Sequence, residues 1–402
     1  MKIICIGAGA SGLFFSLNAA NNGHEVILLE SNERAGRKLA ITGKGRCNIT
    51  NDCPVNEVIE KVLSNPKFLY SAVAGFSPRD AIEWFNAHGC ELKTERGNRV
   101  FPVSDQSSDV VNALLRECDK AGVKIIYRQK VTSIRQSEEG FKVFTKDRAY
   151  AAEKVVIATG GKSYPLTGST GDGYAFALSF HHSIVPPVSA LCPIKIKERI
   201  DPKMTTLTLK NVALTASAEK FHKTLFGDME FLPNAITGPI SLSMSSLINR
   251  KGYVELSLDF KPALDNEKLN NRILREISET PNESVMHLIR TLLPSDIIPF
   301  FVQHAGTPTA KQLNSFTKED RAKLVRDLKA FPLTYDGLDG IEKGIVTSGG
   351  VSTKEINSKT MESKLVPGLY FIGEVIDVDA FTGGFNLQIA LSTAYAAARY
   401  IG

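Results

Sequence analysis

The 402-residue chain has no CxxC pair, no long basic run, no apolar stretch long enough to cross a bilayer, and no second GxGxxG turn. Each absence removes a class of protein. The six cysteines (Cys5, Cys47, Cys53, Cys90, Cys118, Cys192) stand apart, which argues against a zinc site and against a dithiol redox centre of that type. A reducing, cytoplasmic setting is expected from such cysteine usage. His181-His182 has no acid or cysteine at ligand spacing, so no metal is expected. The 48 basic and 43 acidic residues are spread along the chain for a net charge of +5, so neither nucleic acid nor a membrane surface is implied as a partner. Met1 to Ala20 has a basic start and an apolar middle. Three glycines interrupt it, which sets aside a secretory signal. At this length two or three domains are expected.

What is present begins at the first residues. The apolar run Ile3-Ile4-Cys5-Ile6 leads into Gly7-Ala8-Gly9-Ala10-Ser11-Gly12 and then into a helical pattern through Leu13, Phe14 and Leu17. This is the strand-to-helix setting that a dinucleotide fingerprint requires. Gly7 allows the tight turn, Gly9 lets a pyrophosphate approach the backbone, and Gly12 lets helix and strand pack closely. A second strand pattern, Glu25 to Leu29, ends at Glu30, roughly 20 residues after the glycines, where a ribose hydroxyl acceptor is expected. The glycine turn thus predicts a phosphate site at a helix N-terminus.

The stretch Gly36 to Asn51 follows, with three glycines and four cations in sixteen residues. That composition suits an anion-holding loop, and equally a solvated basic loop. If it continues along a cofactor toward the reactive ring, Lys44, Arg46 and Cys47 become the catalytic candidates. Cys47 among cations is a candidate nucleophilic or charge-transfer thiol.

The segment GRKLAITGKGRCNITN, residues 36 to 51, resembles the signature of the BaiN-type flavoproteins, NAD(P)/FAD-dependent oxidoreductases of bacteria, and the resemblance runs the length of the chain. It implies FAD as the tightly held cofactor. The expected cofactor contacts are Gly7, Gly9, Ala10, Ser11, Gly12, Glu30, Ser31, Arg37, Lys38, Gly45, Arg46, Cys47 and Asn48 in the first part of the chain. Val131 is expected to meet the adenine through its backbone. Ala158-Thr159-Gly160 forms a small-residue turn after the buried strand 154–157. Near the end, Gly373 and Glu374 follow another strand, with the acid expected at the ribityl chain. Asp379, Gly384, Phe385 and Asn386 lead into a last helix whose N-terminus is expected at the flavin's pyrimidine side. Asp172 is read as the cap of the helix beginning near it.

The implied fold is α/β: a Rossmann-like, glutathione-reductase-like FAD domain with an inserted antiparallel β domain and a small helical domain. Residues 54 to 130 read as helices, with a strand at 124–127. From Pro186 onward the pattern alternates, clearest in Val254 to Phe260, as one-sided antiparallel strands do. The expected division is 1–190 for the FAD domain, 191–262 for the inserted β domain, 263–330 for the helical subdomain, 331–354 for the second part of the β domain, and 355–402 for the return to the FAD domain.

An FAD-dependent oxidoreductase acting on a small molecule is therefore expected, its flavin reduced transiently by NAD(P)H or by the substrate itself. The alternatives are an amine oxidase of the aminoacetone-oxidase kind using oxygen, an FAD-dependent RNA-modifying enzyme, and a flavin-binding partner without turnover.

Overall fold

The computed structural model describes residues 1–402 and divides them into two units, Met1–Ala190 with Ile341–Gly402, and Leu191–Gly340. In the first unit, five parallel strands lie in the order Leu369–Phe371, Lys154–Ile157, Lys2–Ile6, Glu25–Leu29 and Lys124–Ile126. Strands buried on both faces read as unbroken apolar runs, which is why Ile3-Ile4-Cys5-Ile6 and Val155-Val156-Ile157 show no alternation. Residues that follow the carboxyl ends of these strands are Gly7, Glu30, Ala158 and Ile372-Gly373. Ligands of open parallel sheets bind at that end.

The first helix, Ala10–Asn21, packs against the last, Phe385–Tyr400, where fully buried Ala394 and Ala397 permit close approach. Helices also form at Val55–Lys61, Pro66–Gly75, Pro78–Ala87 and Ser107–Lys120. Between the last two, however, Leu92–Glu95 and Arg99–Pro102 pair as an antiparallel hairpin joined to Thr50–Asn51. The helical reading of 54 to 130 missed this hairpin. Its strands are four residues long, too short to show a period.

The second unit is built on a seven-stranded sheet with all pairings antiparallel, dominated by the hairpin of Thr208–Ala218 and Phe221–Leu232. Its helices Asn266–Glu279, Val285–Leu292, Ile298–Ala305 and Lys318–Lys329 do not form a separate subdomain. Leu269, Leu288, Phe301 and Leu328 share one apolar core with Leu214 and Leu258 of the sheet. The boundary near 354 also moves. Val346–Val351 pairs with Ile184–Ala190 inside the first unit, Ser348 opposite Val188, so the inserted segment ends at Gly340. No helix is long and apolar enough to cross a membrane.

Candidate cofactor and active site

The glycine turn has the two kinds of space that phosphate binding needs. A Cβ added at Gly12 would fall 1.9 Å from Gly7 O, and one added at Gly7 would fall 2.6 Å from Ala158 O, so both positions require glycine for packing. At Gly9 nothing lies within 4 Å, which leaves the backbone open on that side. The helix that starts here has no side-chain cap and no acid in its first turn. Its positive end is free to meet an anion.

At the end of the second strand, Glu30 is only 7% exposed. Its Oε2 accepts from Ala8 N at 2.8 Å, while Oε1 accepts from Asn32 N at 2.8 Å, Asn32 Nδ2 at 2.7 Å and Ser31 Oγ at 3.2 Å. A carboxylate oxygen has two lone-pair directions, so Oε2 keeps one acceptor position for a ligand hydroxyl. Arg37 Nη1 donates to Asn32 Oδ1 at 2.6 Å and so steadies this cluster. Gln129 N donates to Glu30 O, which carries the chain past Glu30 to buried Val131.

The second acid, Glu374, is assembled from distant parts of the chain. Lys38 Nζ donates to Glu374 Oε2 at 2.6 Å and to Ser163 Oγ at 2.7 Å. Ser163 Oγ donates to Glu374 Oε1 at 3.0 Å, and Thr347 N donates to the same oxygen at 2.9 Å. Thr347 Oγ1 in turn accepts from the backbone of Lys162 and Ser163. Ser163 and Thr347 were missed in the sequence. No local pattern marks them, because only the fold brings them to Glu374.

Several expected contacts have other roles. Arg46 pairs with Glu95 and Asp105 and lies 4.2 Å over the Phe101 ring, where it holds the Glu95 carboxyl below its ordinary range. Its guanidinium is thereby tied to the hairpin and to Asp105 just after it. Cys47 is fully buried, and burial pushes its thiol up to about 12, so it is a protonated packing group and not a nucleophile. Lys44 is exposed and lies between Gly43 and Gly45 in a left-handed run, with φ +58°. Asp379, 1% exposed, accepts from Ser64 Oγ at 2.5 Å and Ser348 Oγ at 3.1 Å. Asn386 folds its amide back onto Ala380 N and O at 3.0 and 2.9 Å, and Phe385 is buried. These three side chains shape the turn, and the uncapped N-terminus after Gly384 is what they present. Asp172 sits inside the first turn of its helix after Gly171 and pairs with Lys130, so it is not the cap.

Two buried polar atoms in the expected cofactor loops, Asn48 Oδ1 and Thr159 Oγ1, have no hydrogen-bond partner. Buried polar groups are nearly always paired, so these atoms fit a site that a polar ligand completes. Together with the open backbone at Gly9, two acids with unused acceptor positions and two uncapped helix N-termini, they fit FAD.

Comparison with known proteins agrees with that geometry. The description "HI0933-like protein Rossmann domain" matches residues 1–400. The chain is 34% identical over 399 residues to the ribosomal RNA dihydrouridine synthase of Escherichia coli K12, covering 98% of this chain and 96% of that one. It is 29% identical over 416 residues to the 3-dehydro-bile acid delta(4,6)-reductase of Clostridium scindens, covering 99% and 98%. Among solved structures, the 3-ketosteroid delta1-dehydrogenase of Sterolibacterium denitrificans has the same fold at 13% identity, with a TM-score of 0.52 over 99% of this chain and 98% of that one. The chain belongs to the HI0933-like Rossmann family and is a flavin-dependent oxidoreductase that uses FAD.

Proposed function

We propose that the protein is an FAD-dependent reductase of a carbon–carbon double bond conjugated with a carbonyl, and that its substrate is a uracil ring in ribosomal RNA. The near full-length likeness, at 34% identity, to an enzyme named as a ribosomal RNA dihydrouridine synthase carries this reading. Dihydrouridine is uridine in which the bond conjugated with a ring carbonyl has been saturated. The bile acid relative is named for reduction of double bonds in a 3-dehydro substrate, where they are conjugated with a ketone. Two substrates of different size with one bond type support an electron-poor double bond as the group reduced. The lack of a basic tract, which pointed to a small molecule, bears on affinity for RNA and not on the bond reduced. The likeness of residues 36 to 51 to BaiN-type flavoproteins is consistent with the same chemistry.

FAD, when bound, supplies the hydride, and NAD(P)H is proposed as the source of electrons. The chain's own residues bind and orient. The N-terminus of the first helix and Glu30 would hold the adenosine diphosphate portion. Lys38, Ser163 and Thr347 fix the Glu374 carboxylate, so that its remaining acceptor position has one direction. The last helix, uncapped and without an acid in its first turn, favours negative charge near its start.

Anaerobic incubation with NADPH or NADH and ribosomal RNA lacking dihydrouridine tests the proposal by mass spectrometry. One uridine should gain the mass of two hydrogens. Unchanged RNA, with consumption of a conjugated ketosteroid or of an amine instead, would overturn the assigned substrate.

A further inference from the structure

Tyr174 lies in the first turn of the helix Asp172–Ser179 and is only 6% exposed. Its hydroxyl, also buried, has no hydrogen-bond partner. The start of this helix is wedged between two strand-end turns: a Cβ added at neighbouring Gly173 would fall 2.2 Å from Thr159 Oγ1 and 2.9 Å from Val375 Cγ2. Burial, reinforced by the negative charges of Glu374 and Asp377, raises the phenol above its ordinary range and keeps it protonated. A buried donor placed between these two turns and bonded to nothing lacks an acceptor that the folded chain does not supply.

The chemistry of that acceptor can be deduced. Glu374 Oε1 already accepts from Ser163 Oγ and Thr347 N, and Oε2 accepts from Lys38, which leaves one position on Oε2. A phosphate oxygen would accept from Tyr174 but would bring more negative charge beside two carboxylates. A ligand hydroxyl accepts from the phenol and donates to Glu374, and so satisfies both. FAD carries such hydroxyls only on its ribityl chain and its ribose, and Glu30 stands at the expected ribose position. We propose that Tyr174 Oη donates a hydrogen bond to a ribityl hydroxyl of FAD, which makes Tyr174 a cofactor-binding residue paired with Glu374.

Tyr174→Phe removes only the hydroxyl, and its effects on apoprotein and complex should differ in sign. The apoprotein's Tm should equal or exceed that of the wild type, because an unpaired buried donor has been removed. The Kd for FAD should rise about five- to tenfold, with the Kd for ADP, which has no ribityl chain, unchanged. An unaltered Kd for FAD would overturn the proposal. So would a fall in apoprotein Tm or a failure to fold, since either would show that the hydroxyl already has a structural partner. An equal loss of ADP affinity would place its action elsewhere in the site.

Discussion

Glu30 and Glu374 both follow parallel strands and both keep an acceptor position for a ligand, but they are held in different ways. Glu30 takes its bonds from Ala8, Ser31 and Asn32, all within 22 residues of it. Glu374 is held by Lys38, Ser163 and Thr347, of which Lys38 is 336 residues away in the chain. The short helix Arg37–Ile41 serves both: Arg37 reaches Asn32 at the first acid, and the next residue, Lys38, reaches the second. The surroundings of Glu30 are thus a local construction that strand and turn preorganise. The surroundings of Glu374 depend on tertiary folding, and on one ion pair whose side chains are each 21% exposed.

The most damaging way to break this asymmetry is Lys38→Met. It leaves a mostly buried carboxylate without its cation, and the apoprotein should lose about 2–3 kcal/mol in urea unfolding. Adding Glu374→Gln should recover part of that loss, because the uncompensated charge is then gone. Simple additivity of the two losses would mean that the pair is not coupled.

An effect that is absent at neutral pH and emerges only in alkali acts through the core that both acids share. Burial pushes the thiols of Cys5, Cys47 and Cys118 from 9.0 up to about 12. Folding therefore favours their protonated forms. This stabilisation is complete below about pH 9 and is lost as pH rises toward 12, by up to about 1.4 kcal/mol per thiol per pH unit. Unfolding free energy should be steady through neutral pH and fall above pH 9, and a cysteine-to-alanine exchange at Cys47 should flatten the fall. A thiol at Cys47 that alkylates readily at pH 8 in the folded protein would contradict its burial.

The same contrast explains what the sequence showed. The parallel strands, the glycine turn and Glu30 lie within thirty residues and carry their signal in spacing alone. Glu374 was legible as an acid after a strand, but its partners were not, since Ser163 and Thr347 are ordinary residues until the fold joins them. The cations of the 36 to 51 loop show the opposite failure. Composition pointed Arg46 and Cys47 at the cofactor, whereas the unrecognised hairpin at 92–102 and its neighbour Asp105 supply Arg46 with acids, and the core encloses Cys47. Asp379 and Asn386 were placed in the right turn, yet their side chains bond to the protein itself.

That the two acids hold opposite ends of one FAD is tested most directly by titrating apoprotein with FAD and, separately, with ADP, for the wild type, Glu30→Ala and Glu374→Gln. Glu30→Ala should weaken both ligands alike, by roughly 1.5–3 kcal/mol or about one to two powers of ten in Kd. Glu374→Gln should weaken FAD and leave ADP unchanged. Unchanged affinities in Glu30→Ala, or equal losses of FAD and ADP in Glu374→Gln, would contradict the assignment.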